Sequence, residues 1–165
     1  TIYSGTVGAA MEGYLFGVPS IAFSLVEKDW AHLDAAARHA AILVERLRAD
    51  GLIAAGAKKP WLLNVNMPNV PFAQMKSVEW TRLGRRHSAE RVIAQKNPRG
   101  ETMYWIGASG GVADAAKGTD FYAVEHGHIS ITPLQVDLTN HDELAYWANA
   151  LQTPLTTEQG AFCHE

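Results

Sequence analysis

The chain has 165 residues, 47% of them hydrophobic and 19% charged, with a formal net charge of −3. That length suffices for a substantial core, and without clustered Lys and Arg there is no electrostatic footprint for a nucleic-acid polymer or an anionic membrane. The single cysteine, Cys163, cannot close an internal disulfide, so a reducing, cytoplasmic setting is expected. No apolar run approaches the roughly 18 residues of a membrane span. The opening Thr1-Ile2-Tyr3 has neither an initiator Met nor the basic and apolar regions of a signal peptide, and the chain is expected to begin inside a fold.

A first helix is predicted over residues 6–16. Ser4 is placed to cap it, Val7, Met11 and Leu15 recur every four residues, and Gly17 with Pro19 ends it. Residues 21–25 read as a buried strand. A second helix, capped by Asp29, is predicted to bury Trp30, Leu33, Ala37, Ala41, Val44 and Leu47. It is expected to pair Asp34 with Arg38 on its outer face and to stop at Gly51. Residues 61–66 form a core strand ended by Pro68. Strands alternating with helices argue for βαβ units, hence an α/β fold with a mainly parallel sheet.

Further strands are predicted over 77–83, 91–95 and 102–106. The turn Asn97-Pro98-Arg99-Gly100 joins the last two, with Pro at its second position and Gly at its fourth. This hairpin arm, about residues 85–106, carries Met103, Tyr104 and Trp105, apolar groups that need a covering surface. The small-residue loop 107–118 leads into a short helix from Phe121 to about His126, closed by Gly127. Residues 128–132 alternate as a strand stopped by Pro133. A last helix is expected from about Asn140, with Thr139 and Asp142 at capping-box spacing and Leu144, Trp147, Ala148 and Leu151 as its buried stripe. Residues 1–151 thus read as one domain and 152–165 as a polar, disordered tail.

Three places suggest chemistry. At Ser4-Gly5-Thr6 the first turn of a helix offers unpaired backbone N–H groups, a dipole that favours an anion, and two hydroxyls. An ordinary N-cap explains the same residues and is the better reading on spacing alone. Asp120, between the small-residue loop and a helix, is either a cap or a carboxylate that orients a water or a substrate hydroxyl. Asn64 and Asn66 share one strand face, with Asn66 at the carboxyl end where open α/β sheets bind ligands; pairing with loop backbone accounts for them at least as well. The histidines supply no three-ligand metal set, since His126 and His128 straddle a junction and His32 and His39 lack a third partner. Asp137 and His141, four apart, read as a structural pair that ties down a hinge for the last helix. Walker, dinucleotide, nucleophile-elbow and zinc-protease motifs are all missing.

Taken in order, Tyr3-Ser4-Gly5-Thr6-Val7 with Ala9-Ala10-Met11-Glu12-Gly13, then Leu63-Asn64-Val65-Asn66-Met67-Pro68, Gly118-Thr119-Asp120, and Ile129-Ser130-Ile131-Thr132-Pro133-Leu134 with Asp137 and Thr139, closely resemble the survival protein SurE family. The resemblance runs from residue 1 to about Leu151. It implies a Rossmann-like α/β fold and a nucleotidase dependent on a divalent metal, Mn²⁺ or Mg²⁺. Such enzymes are phosphoric monoester hydrolases, acid-phosphatase-like, that act on nucleoside 5′- and 3′-monophosphates; some members also act on polyphosphate. The resemblance further implies a homodimer or homotetramer built by the extended hairpin and an exchanged C-terminal segment. It assigns Ser4, Gly5 and Thr6 to the bound phosphate, reversing the preference for a plain cap, with Asn66 and Asp120 in the surrounding pocket. The family's metal ligands, an Asp-Asp pair, a serine and an asparagine, would precede Thr1. The chain is therefore expected to be the C-terminal portion of such a domain, inactive alone. The alternative is a non-catalytic phosphate- or nucleotide-binding or oligomerisation fragment.

Overall fold

The computed structural model describes residues 4–27, 29–53, 60–86, 92–105 and 110–150. The chain divides into two compact units, between Gln135 and Val136. The first unit holds α1 (Gly5–Leu15), β1 (Ser20–Leu25), α2 (Leu33–Ala49), β2 (Leu62–Met67), a 3-10 turn (Phe72–Gln74), β3 (Val78–Trp80), β4 (Arg85–Arg86), β5 (Ile93–Lys96), β6 (Thr102–Trp105), β7 (Val112–Asp114), α3 (Asp120–Glu125) and β8 (Ile129–Leu134). The second holds α4 (Leu144–Ala150).

A four-stranded sheet in the order β1-β2-β8-β3 organises the first unit. β1 and β2 run parallel, as do β3 and β8, while β8 lies antiparallel to β2. Side chains alternate across a strand, so the register sorts the sheet into two chemical faces. Ile21, Phe23, Leu25, Leu63, Val65, Met67, Ile129 and Ile131 fall on one, and they form the core with Ala35 and Ala36 of α2 and with Phe72. The other face reads across the strands as Ala22, Asn64, Thr132 and as Ser24, Asn66, Ser130. Thr81 joins it: its Oγ1 lies 2.8 Å from Ser130 Oγ and 2.7 Å from Thr132 Oγ1, satisfying three buried hydroxyls at once. α1 covers part of this polar face so closely that a Cβ on Gly13 would stand 2.5 Å from Ser20 Oγ.

Several expectations hold. Ser4 caps α1, Gly17 takes the left-handed conformation past its end (φ +82), and the Asn97–Gly100 turn closes with Gly100 N–H donating to the Asn97 carbonyl at 2.9 Å. Others need correction. α1 buries Val7 and Ala10 rather than a Val7-Met11-Leu15 stripe; Leu15 is exposed. α2 starts only at Leu33, and Asp29 instead accepts hydrogen bonds from Ala31 N–H and the Asn69 amide. Its buried side is Ala35, Ala36, Ala40 and Leu43, leaving Trp30 and Leu33 exposed and Ala37 and Ala41 outside. An alanine-rich helix offers apolar residues on several sides, and the small ones at 35, 36 and 40 allow the closest approach to a sheet. Arg38 leaves Asp34 and lies 4.3 Å over the Phe72 ring.

β8 continues through Pro133, which lies past the end of its pairing with β3, where a missing N–H is tolerated. The loop 107–118 contains the strand β7. In the second unit the helix begins at Leu144, Thr139 N–H bonds to Asp137 in place of a capping box, and Leu144, Trp147 and Ala148 are exposed. Leu151 and the tail lie outside the described residues. No helix among the described residues is long and apolar enough to cross a membrane.

Candidate functional site

A cavity of about 750 Å³ opens on the polar face of the sheet. Ser4 and Val7 of α1, Ser24 of β1, Asn64 and Asn66 of β2, Asn69 beyond it, Arg86 of β4, and Asp120 and Phe121 of α3 all line it. The strand ends contribute neutral oxygen and amide groups because this face alternates with the apolar one beneath.

Ser4 sits in extended backbone (φ −84, ψ 118) and its Oγ accepts from Val7 N–H at 3.3 Å. A hydroxyl has two acceptor lone pairs and one proton, so the capping bond leaves the O–H of Ser4 to donate into the cavity. Cap and ligand group are compatible in one residue. Gly5 and Thr6 occupy the exposed first turn of α1, where N–H groups lack a carbonyl four residues back within the helix. Asn64 is buried at 4% exposure, and its carboxamide makes no hydrogen bond among the described residues. Asn66, two residues on, opens to the same space.

Asp120 is not the cap of α3. That position belongs to Thr119, whose Oγ1 accepts from Tyr122 N–H at 3.2 Å and donates to the Ala116 carbonyl at 2.8 Å. Asp120, 8% exposed, uses Oδ1 to accept from Gly84 N–H at 2.7 Å and Phe121 N–H at 3.0 Å. It therefore ties the start of β4 to α3. Its Oδ2 makes no hydrogen bond among the described residues.

The short β4–β7 pair, irregular in register between Arg85 and Arg86, also lines the cavity through Arg86 and Val112. Arg82 grips Asp114 at 2.6 Å and 3.4 Å, and this bond, then the Ala116 N–H, holds the Asp114 carboxyl below the usual range. A Cβ on Gly84 would stand 2.4 Å from Phe121 Cδ2 and 2.5 Å from the Asp114 carbonyl, so only glycine permits this close approach. Arg86 then lies with its guanidinium 5.0 Å from the Phe121 ring centroid. On the rim, Asn69 Oδ1 accepts from His32 N–H at 3.0 Å, bracing a loop in which Glu27 (φ 76) and Trp30 (φ 50) both hold left-handed conformations.

The structure thus gathers Ser4, Asn66 and Asp120 around one cavity, with Gly5 and Thr6 next to Ser4 in sequence. Asp137 and His141 belong to the second unit. There His141 Nε2 lies 2.7 Å from Asp137 Oδ2 and Thr139 N–H donates to Oδ1 at 2.8 Å. A hydrogen bond from the Thr139 side chain, then those from His141 and the Thr139 backbone, lower the Asp137 pKa to about 2. The histidines diverge: His126 stacks on Tyr122, His39 on Phe72, and His128 meets the Ser77 carbonyl. No group of three His, Cys, Asp or Glu side chains that would hold a metal is found among the described residues. Ser24 escaped the sequence reading, although its alternation with Phe23 and Leu25 signals it. Arg86, beside Arg85 in an isolated basic pair, carries no signal in the sequence.

Comparison with known proteins closes the case for kinship. The family model described as "Survival protein SurE" matches residues 1–90. The chain is 62% identical over 154 residues to a protein named 5'-nucleotidase SurE from Polaromonas sp. (strain JS666), covering 91% of this chain and 59% of that one. It is 62% identical over 148 residues to a protein of the same name from Albidiferax ferrireducens, covering 90% and 57%. The fold is similar to the crystal structure of SurE protein from Aquifex aeolicus, with a TM-score of 0.68 and 36% identity over 90% of this chain and 58% of that one. The chain therefore spans less than two thirds of the length of each of these relatives.

Proposed function

The chain belongs to the SurE survival-protein family, and from that premise we propose that it serves in a metal-dependent nucleotidase, with the Ser4-Gly5-Thr6 turn receiving the phosphate. Nucleoside 5′-monophosphates are the substrates suggested by the names of its relatives; 3′-monophosphates and polyphosphate are proposed with them, as is a cytoplasmic location. The observation that carries the reading is Ser4. It lines the cavity at the N-terminus of an eleven-residue helix, and its capping bond spares its proton. An anion there meets backbone N–H groups and the positive end of the helix dipole. Such donors matter most when charge builds on phosphoryl oxygens in the transition state. Asn66 and Asp120 complete the pocket wall around them.

The proposed cofactor is a divalent ion, Mn²⁺ or Mg²⁺. The described residues do not fit it as a set, because Asp120 alone offers the cavity a buried carboxylate oxygen without a partner, and a hard cation takes six or more oxygens. Its ligands are proposed to lie outside these residues.

We also propose self-association, as homodimer or homotetramer, through the β5–β6 hairpin and α4. Every residue of both hairpin strands is exposed, including Ile93, Met103, Tyr104 and Trp105, and so are Leu144, Tyr146 and Trp147 of α4.

Gly5→Pro tests the phosphate turn. Gly5 is the first residue of α1, where proline is tolerated, and the extended backbone of Ser4 suits the residue before a proline. The helix should survive while one N–H donor disappears. In the full-length protein with Mn²⁺, phosphate release from a nucleoside 5′-monophosphate should fall by about 10²- to 10³-fold, with metal affinity unchanged by calorimetry. Unaltered turnover would remove the turn from the site.

A further inference from the structure

We propose that Arg86 is the side chain that neutralises the phosphate dianion inside this cavity, a role that rests on the phosphomonoester reading above and names the group that selects for a charged substrate. Electrostatics raise the question first. Among the described residues, the ionisable side chains lining the cavity are Glu27, Asp120, Glu125 and Arg86, so Arg86 is the one described cation beside three carboxyl side chains. Ser4, Asn64 and Asn66 can donate hydrogen bonds to phosphoryl oxygens but carry no charge. A dianion entering such a space meets repulsion from the carboxylates, and a guanidinium is the group suited to offset it, with planar donors that match a phosphate.

The position of Arg86 is constructed, not incidental. The register of β4 against β7 shifts between Arg85 and Arg86, and an irregularity of that kind re-aims a side chain. The strand below is clamped twice, by Gly84 N–H on Asp120 and by Arg82 on Asp114. Gly84 lets Phe121 come close enough to form a shelf, and the guanidinium lies over that ring. This cation–π contact rests the guanidinium on an aromatic ring without using any of its N–H donors. Among the described residues Arg86 makes one hydrogen bond, from Nη1 to the Gly110 carbonyl at the long distance of 3.5 Å. Its other donors make no hydrogen bond with the described residues. A guanidinium seated on an aromatic ring, with donors to spare and lining the same cavity as the neutral donors Ser4, Asn64 and Asn66, has the features of an oxyanion receptor.

The test uses the full-length protein with its metal, and inorganic phosphate as the probe. Arg86→Ala should weaken phosphate binding, read by calorimetry and as competitive inhibition, by about 10- to 100-fold, the range of a charge-assisted hydrogen bond. KM for a nucleoside monophosphate should rise by a similar factor, and inhibition by the uncharged nucleoside should stay within twofold, about the scatter of such assays. Arg86→Lys, which keeps the charge and loses the fork, should restore part of the phosphate affinity. Unchanged phosphate affinity in Arg86→Ala would overturn the proposal. So would a selective loss of nucleoside inhibition, which would place Arg86 against the base instead. If the unmodified protein binds phosphate but releases none from nucleotides, the nucleotidase reading fails by itself, and phosphate binding by the variants still decides the role of Arg86.

Discussion

Strands β2 and β8 and strands β5 and β6 are both antiparallel pairs, yet they stand in opposite physical situations. In the first pair Leu63, Val65, Met67, Ile129 and Ile131 are buried on one face, and Asn64, Ser130 and Thr132 are buried on the other. In the second pair, Ile93 to Lys96 against Thr102 to Trp105, no residue is buried on either face. The backbone ladder is equally regular in both. Hydrogen bonds alone therefore do not separate them; burial does, since an isolated two-stranded hairpin is marginal in water. The sheet is held by its own packing, whereas the hairpin needs a surface from elsewhere.

The most severe way to test this contrast is to cut a side chain from each. Ile131 is 1% exposed and packs in the core with Val65, Met67 and Ala35. Ile131→Ala should cost about 2–5 kcal/mol, the loss of a buried branched side chain plus the cavity it leaves. Urea denaturation followed by circular dichroism would measure it. A loss under about 1 kcal/mol, the level of a conservative swap, would mean that the sheet is not the stability centre.

What could be read from the residues follows the same division. β2 announced itself because Leu63, Val65 and Met67 alternate with Asn64 and Asn66, and that alternation placed both asparagines on one face before any coordinates. The α2 stripe was misplaced because alanines at 35, 36, 37, 40 and 41 permit more than one apolar face, and periodicity cannot choose among them. Ser4 was legible as a cap, but its place on a cavity depended on β2 and α3, distant in sequence. β7 was missed since Val112-Ala113-Asp114 is short and lies among glycines, and its strand character comes from pairing with Arg85 and Arg86. Arg86 was lost for a related reason: a lone basic residue looks solvated until a ring such as Phe121 arrives beneath it through the fold.

A second test works from the hairpin side. Trp105 is 54% exposed and pairs with Ile93 across the ladder. Trp105→Asp removes apolar surface that the described residues leave uncovered, so the change in intrinsic stability should stay within about 0.5 kcal/mol. The same substitution should lower the oligomeric state of the full-length protein in sedimentation velocity, because a desolvated interface does not accept a carboxylate. Unchanged assembly would show that the hairpin is covered by something other than a second copy.

The smallest effect is expected where contacts are polar and exposed, as around Asp137. Its carboxylate takes hydrogen bonds from Thr139 and His141, and its pKa falls to about 2 from the ordinary value near 3.9. A carboxyl whose folded pKa is depressed stabilises the folded arrangement above its unfolded pKa, and that contribution is lost as pH falls through the folded value. The segment 137–141 should therefore keep its local structure at pH 5 and lose it progressively between about pH 4 and pH 2. A carboxyl-carbon NMR titration of Asp137 should show a midpoint near 2, and His141→Ala should raise it. A midpoint near 3.9, the unperturbed aspartate value, would mean that the Asp137–His141 contact does not persist in solution. Because the pair is exposed to water, salt should weaken the depression, whereas the Ile131→Ala cost should be nearly salt-independent. Burial and charge would then be separated by one titrant.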